Sequence, residues 1–375
     1  MTIGILKEEH PERRVCMLPE SVAALHKMNV PVLVECSAGS GAYAPDDDYE
    51  LAGARLLPKE EVLERSELVV KINHPTPDEM NALRPGQLLI GAFNPLFETG
   101  IIKTLAEKKV VSFSLDVIPR TTRAQAMDVL SSMATVAGYK AVLEAARLLP
   151  RFFPMFMTAA GTIKPAKVLI LGAGVAGLQA VATSRKLGAV VEVFDVRAAV
   201  KEEVIGLGAR FVEVEGAVDD KSAGGYAVEQ TQEFHQKQKQ TIHEHAIKSD
   251  VIICTAQIPG KRAPLLISAG TVDLMNPGSV IIDLATSTGG NCELAKNGET
   301  IEVKGIRIVG NSGLAAEMPT DASRMFGKNV FNFIRLMFNN KNEFFLNWED
   351  DLIRGTCVTR DGEIVHERVK TMIIQ

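Results

Sequence analysis

The sequence predicts an α/β protein of two doubly wound parallel-sheet domains joined by two long helices, and three observations carry that expectation. At 375 residues the chain exceeds the ~250–300 at which single hydrophobic cores stop growing. Short apolar runs alternate with helix-compatible segments along most of its length, the pattern of parallel strands with crossover helices. Near the middle, Ala166 to Asp195 reads as strand, tight turn, helix and second strand.

Taken in order, Thr2 to Leu6 is a short strand, and Pro19 to Met28 a helix with Val22, Leu25 and Met28 on one face. Strand Pro31 to Glu35 precedes a turn-rich stretch with Gly39 and Gly41, which lacks the following helix and terminal acid of a nucleotide site. The alternation continues with helix Lys59 to Arg65, strand Glu67 to Ile72, helix Asp78 to Leu83, strand Gln87 to Ala92, helix Ile101 to Lys108 and strand Val110 to Leu115. Next, Arg120 to Ser131 gathers two arginines with Gln125, Asp128 and Ser131. On spacing alone these are either helix caps and surface pairs or a polar cluster facing a ligand. Ser132 to Leu149 is a long amphipathic helix, expected to lead into the second domain and to serve as a hinge.

The glycine turn comes next, Gly172-Ala173-Gly174-Val175-Ala176-Gly177, after the apolar run Val168 to Leu171. Each glycine has its own task at a strand-to-helix turn: Gly172 allows the tight bend, Gly174 lets backbone approach a pyrophosphate, and Gly177 lets helix pack on strand. Amides at the helix start are placed to receive phosphates. Asp195 ends the second strand, where a carboxylate accepts hydrogen bonds from an adenosine ribose and repels a 2′-phosphate, so NAD(H) is expected over NADP(H). Arg197 is discordant, either accommodating a 2′-phosphate or standing as a surface arginine.

Helix Arg197 to Leu207 and strand Arg210 to Val214 follow. The polar loop Glu215 to Tyr226, with Gly224 and Gly225, is a lid beside a nucleotide or an ordinary surface loop. Helix Ala227 to Lys248 carries His243 and His245, two apart and so on different sides, which points to a solvated face; no metal site is expected. Strand Val251 to Thr255 leads to the turn Ala256-Gln257-Ile258-Pro259-Gly260 at a strand's carboxyl end, where doubly wound sheets place ligand contacts. Strands Ser279 to Ala285 and Ile306 to Val309, helix Asp321 to Asn339 and a hairpin turning at Asp361-Gly362 complete the chain. The expected domains are 1–131 with 322–375, and 132–321.

A net charge of −5 and the lack of a basic run argue against a nucleic-acid surface. No apolar window is long enough for a signal peptide or a membrane span. Five scattered cysteines without a CxxC pair read as reduced thiols of a cytoplasmic protein.

The stretches RAQAMDVLSS, FMTAAGTIKPAKVLILGAGVAGLQA, SAGGYA, PGSVIIDLA and GTCVTRDG together resemble the soluble NAD(H)-binding domain I, or alpha-1 subunit, of proton-translocating nicotinamide nucleotide transhydrogenase. The resemblance spans essentially the whole chain. It implies a Rossmann NAD domain beside a flavodoxin/formate-dehydrogenase-like one. It also implies that Gly172, Ala173, Gly174, Val175 and Gly177 lie at the pyrophosphate, that Asp195, Val196 and Arg197 surround the adenosine ribose, and that Gln257 borders the nucleotide. Gly225 and Tyr226 would close over it, with Gln238 on the helix behind. Arg120, Gln125, Asp128 and Ser131 would hold the nicotinamide end, orienting it without acid or base chemistry.

The implied reaction is direct hydride transfer between NAD(H) on this chain and NADP(H) on a partner domain III, the beta subunit. Membrane domain II subunits would couple it to proton translocation, with a homodimer of this chain lying at the cytoplasmic face of the inner membrane. The rival is alanine dehydrogenase, whose carboxylate-binding positions match Arg14 and Lys71. Its catalytic His would fall in Leu88 to Pro95, which has none, and its catalytic Asp before the glycines of TSTGG, where Ser287 and Thr288 stand. A third reading is an NAD(H) sensor without catalysis.

Overall fold

The structure is a computed structural model that describes residues 1–214, 231–258 and 260–374. It divides into two compact units, Met1–Met133 with Ala316–Gln375, and Ala134–Ala315.

The first unit begins with six parallel strands, β1 (Ile3–Ile5), β2 (Val32–Glu35), β3 (Arg55–Leu57), β4 (Leu68–Val70), β5 (Leu88–Gly91) and β6 (Val111–Ser114). Alternate residues serve opposite cores. Ile3, Ile5, Val34, Val70 and Ile90 pack with Phe326, Val330 and Phe333 of the helix Pro319–Arg335, whereas Leu33, Val69 and Leu89 pack with Val62 and Ile102. Both faces are therefore buried, which explains strands written as unbroken apolar runs rather than alternating ones.

The second unit carries a small hairpin, β7 (Phe156–Thr158) and β8 (Gly161–Ile163), and then a seven-stranded sheet. Its strands are β9 (Lys167–Leu171), β10 (Val190–Phe194), β11 (Arg210–Val212), β12 (Val251–Cys254), β13 (Val280–Asp283), β14 (Glu299–Val303) and β15 (Ile306–Gly310), in the order β11-β10-β9-β12-β13-β15-β14. All pairings are parallel except β14 with β15. The chain then returns to the first sheet with β16 (Cys357–Arg360) and β17 (Glu363–Ile364), giving β17-β16-β6-β5-β4-β1-β2-β3. Asp361 and Gly362 turn that hairpin with φ of 54° and 85°, the pair of positive values a two-residue turn requires.

Each sheet reverses its winding once. In the first the reversal lies between β1 and β4, and in the second between β9 and β12. Crevices at the carboxyl ends of such strand pairs are where open α/β sheets receive ligands.

Several boundaries differ from the sequence expectations for local reasons. The helix expected from Ser132 runs Val129–Leu148, because Asp128 accepts from both the Ser131 amide (2.9 Å) and hydroxyl (2.6 Å) and so caps an earlier turn. The helix expected over 321–339 runs Pro319–Arg335, with proline at its first position. Between Arg197 and Leu207 the single expected helix is a 3₁₀ turn, Ala198–Val200, followed by a helix at Lys201–Gly206. The helix expected over 227–248 is Gln232–Ala246, capped by the Thr231 hydroxyl accepting from the Phe234 amide. Strands β3, β7, β8 and β14 have no counterpart among the sequence expectations. The residues of β7 and β8 are all exposed, so no burial pattern marks them in the sequence.

Candidate functional site

The glycine turn follows β9 directly. Gly172 has φ of 103°, and a Cβ there would stand 2.6 Å from the Thr255 hydroxyl. A Cβ on Gly177 would fall 1.9 Å from the Gly172 carbonyl oxygen, so this residue sets how closely helix Val175–Lys186 approaches the strand. Gly174 is different: an added Cβ meets nothing within 4 Å. Its bareness serves no packing need, and it marks open space at the first turn. Gly174 is also the N-cap, and it offers no side-chain cap to that helix's leading amides. The residues thus fit a pyrophosphate: a cradle that a side chain would fill, beside amide donors at the positive end of a helix.

Gly138, on Val129–Leu148, completes the packing. A Cβ at this position would lie 2.1 Å from the Ala176 carbonyl oxygen, so a second helix backbone touches the turn from another side. Sequence reasoning missed this residue. Its only signal was a cluster of small side chains in an otherwise amphipathic helix.

Asp195 closes β10 with its side chain 6% exposed. Its carboxylate accepts from the Ala173 amide at 2.7 Å, tying the second strand end to the glycine turn. It also accepts from the Arg197 amide at 2.9 Å and from that guanidinium at 2.8 and 2.7 Å. The Arg197 side chain, 22% exposed, is thus forked onto Asp195. A cation there offsets part of the carboxylate's repulsion of a 2′-phosphate. Val196, between them, packs against the core of this unit.

Gln257 is exposed at the carboxyl end of β12, and its amide donates to the Leu284 carbonyl at 3.2 Å. Gln238 is buried, and its amide oxygen meets the His235 ring at 3.2 Å on its own helix. Gly225 and Tyr226 lie outside the described residues, as does Pro259.

In the first unit, Arg120, Gln125 and Asp128 line a cavity of about 280 Å³, together with Asp116, Pro119 and Thr121. Three supports hold this segment. Asp128 is fixed by Ser131, as its capping role requires. Arg123 pairs with Asp350 and Asp351. The Ala126 carbonyl, between Gln125 and Asp128, accepts from both Asn329 and Asn332 at 2.9 Å. The cap reading of this stretch holds for Asp128, which also lines the cavity. Asp116 was not foreseen: burial pushes its carboxyl above the usual range, although Ser114, its own backbone and the Asn94 amide donate to it.

The two cations of the rival reading are already engaged. Arg14 is forked onto Glu12 at 2.8 and 2.5 Å. Lys71 and Glu79, each 1% exposed, pair at 2.5 Å. Burial opposes the charge on Glu79, but Lys71, the Thr76 amide and Lys59 together hold that carboxyl below the usual range. Ser287 and Thr288 sit in a short 3₁₀ turn, Thr286–Thr288, where the Thr288 hydroxyl donates to Ala285.

Comparison with known proteins agrees with this geometry. Residues 4–137 match the family model for the alanine dehydrogenase/PNT N-terminal domain, and 141–367 that for the C-terminal domain. The chain is 42% identical over 376 residues to the first portion of NAD(P) transhydrogenase subunit alpha from Rhodospirillum rubrum, covering 98% of both chains. A crystal structure of transhydrogenase from Sinorhizobium meliloti matches with a TM-score of 0.89 at 41% identity, over 97% of this chain and 100% of that one. An L-alanine dehydrogenase structure matches at 0.82 and 26% identity, over 100% and 99%.

Proposed function

The chain belongs to the alanine dehydrogenase/PNT family and within it to the NAD(P) transhydrogenase alpha subunits, and from that premise we propose that it is the NAD(H)-binding component of a proton-translocating transhydrogenase. The observation that carries this is the open space at Gly174, the N-cap of a helix, beside Ala173, whose amide donates to the Asp195 carboxylate. When bound, NADH supplies a hydride from its nicotinamide C4 to the C4 of NADP⁺ on a partner domain III, leaving NAD⁺ and NADPH.

This chain's residues do the holding. The amides following Gly174 take the pyrophosphate, with Gly172, Ala173, Val175 and Gly177 shaping the turn. Asp195, Val196 and Arg197 surround the adenosine ribose. Arg120, Gln125, Asp128 and Ser131 orient the nicotinamide end, and Gln257, Gln238, Gly225 and Tyr226 border the nucleotide. No side chain moves a proton, because hydride exchange between two nicotinamides releases none at the reacting carbons. Proximity and orientation are what the protein contributes. The chain acts as a homodimer, peripheral on the cytoplasmic face through its beta and membrane domain II partners, which supply proton translocation.

Alanine dehydrogenase chemistry is disfavoured by the pairing of Arg14 with Glu12 and Lys71 with Glu79, which leaves a substrate carboxylate to compete with two internal ones. The test is to mix the purified chain with a transhydrogenase domain III and follow hydride exchange between NADH and an NADP⁺ analogue. Exchange supports the proposal. NADH binding without exchange favours a sensor, and turnover of L-alanine with NAD⁺ favours the rival.

A further inference from the structure

Asn291 is buried with none of its surface exposed, yet it follows the two glycines of a loop with no assigned role. Its side chain behaves as a substitute peptide. The Oδ1 atom accepts from the Ala256 amide at 3.0 Å, and Nδ2 donates to the Ala256 carbonyl at 2.9 Å and the Pro264 carbonyl at 2.8 Å. Turned over, the amide would set a donor against a donor and an acceptor against two acceptors, so the network fixes its orientation.

Asn291 is itself aimed from below. Asp283, fully buried at the end of β13, accepts from the amides of Ala285 (2.8 Å), Asn291 (2.7 Å) and Cys292 (2.8 Å). Gly289 and Gly290, with φ of 109° and 77°, bend the backbone back over it. Above, Ala256 and Thr255 are the residues against which Gly172 packs: a Cβ on that glycine would lie 3.1 Å from the Ala256 nitrogen. The Thr255 hydroxyl donates to the Gly172 carbonyl at 3.0 Å. A chain of polar contacts, buried at Asp283 and part-buried beyond it, thus runs from Asp283 through Asn291 and Ala256 to the glycine turn.

Resting on the NAD(H)-binding reading, we propose that Asn291 is a positioning residue: it latches the turn at 255–258 in the shape that receives the nucleotide. Sheet order says which half of the nucleotide depends on it. Asp195 follows β10, on one side of β9, and the latched turn follows β12, on the other. With the adenosine ribose assigned to Asp195, the turn serves the half of the dinucleotide remote from adenosine.

The test uses the full-length chain, titrated with NADH and separately with AMP, for wild type and Asn291→Ala. Wild type must bind NADH; if it does not, the functional reading falls and takes this inference with it. For the variant, the expected result is an NADH Kd raised about tenfold, an equilibrium change of ~1.4 kcal/mol, with AMP affinity within about twofold. Equal loss of both ligands, or a lowered melting temperature with unchanged affinities in the folded protein, would reduce Asn291 to a structural residue and overturn the proposal. If Asn291→Ala does not fold, Asn291→Asp carries the same expectation, since it keeps the shape and loses both donors.

Discussion

The two units contain the same topological device and use it oppositely. Between β9 and β12 the strand ends carry bare glycine, an uncapped helix start and a polar turn held from behind. Between β1 and β4 the equivalent crevice is bridged by the chain itself. Glu8 accepts from the Ile72 amide at 2.6 Å and from the Asn73 side chain at 3.2 Å, while Lys71 is committed to Glu79. Winding reversal creates a crevice in both places, and side chains decide whether a ligand or an internal carboxylate satisfies its donors. A fold-level rule for ligand placement therefore needs a count of which donors are already spoken for.

Breaking the closed crevice gives the largest expected effect. Lys71→Met strands the Glu79 carboxylate in the interior, and removing one partner of a buried pair costs about 3–5 kcal/mol. Urea denaturation should show that loss, while NADH affinity in the folded protein stays within about twofold, because the open crevice is in the other unit. Lys71→Met combined with Glu79→Leu should recover most of the stability. Failure of the double variant to recover would mean that Glu8 or Lys59, which also reaches Glu79 at 3.3 Å, carries the network.

The open crevice is tested by a pair of glycines. Gly174→Val is expected to lower NADH affinity more than about a hundredfold, over 2.7 kcal/mol, with a melting temperature near wild type, since a Cβ there has room. Gly177→Ala is expected to lower the melting temperature, because its Cβ would overlap the Gly172 carbonyl. If both variants lost only stability, Gly174 would be a packing glycine and the pyrophosphate assignment would fall.

The open crevice was legible in the sequence and the closed one was not. Glycines at fixed offsets, an apolar run before them and Asp195 after them are local features, and local features survive in one dimension. The fork of Arg197 onto Asp195 spans only two residues, but the sequence left Arg197 open between a 2′-phosphate contact and the surface, because its fate depends on which way β10 ends. Glu8, Lys71 and Glu79 come from three separate elements, and only sheet order brings them together. The same holds for Asn291 under Ala256 and Gly138 against Ala176, where partners lie 35 and 38 positions apart. Asp128 with Ser131 is the intermediate case: the spacing of a cap was visible, and the cavity beside it was not.

Gln125→Asn asks whether the first unit contributes to function despite its closed crevice. Shortening this side chain on the cavity wall is expected to slow hydride exchange with domain III about tenfold, a barrier change of ~1.4 kcal/mol. NADH affinity should stay within a few fold if, as proposed, Gln125 steers the ring while the glycine turn takes the pyrophosphate. A large affinity loss with normal exchange would reverse the roles assigned to the two regions.

The smallest expected effect comes from Glu8, the carboxylate that bridges the closed crevice. Burial raises its pKa above the ordinary 4.5, with Lys71 and the Ile72 and Asn73 amides opposing that rise. A folded-state pKa above the unfolded one means the native state holds the proton more tightly, so this stabilisation is complete below about pH 4.5 and is lost as pH rises through the folded value. Glu8→Gln removes the titration and keeps one acceptor for the Ile72 amide. Urea midpoints measured from about pH 4 to 7 should therefore show wild type strongest relative to Glu8→Gln at the acid end, the advantage shrinking toward neutrality. The opposite slope would mean that Lys71 and the Ile72 and Asn73 amides outweigh burial at Glu8, leaving the crevice closed by an ion triad rather than by a carboxyl that tends to keep its proton.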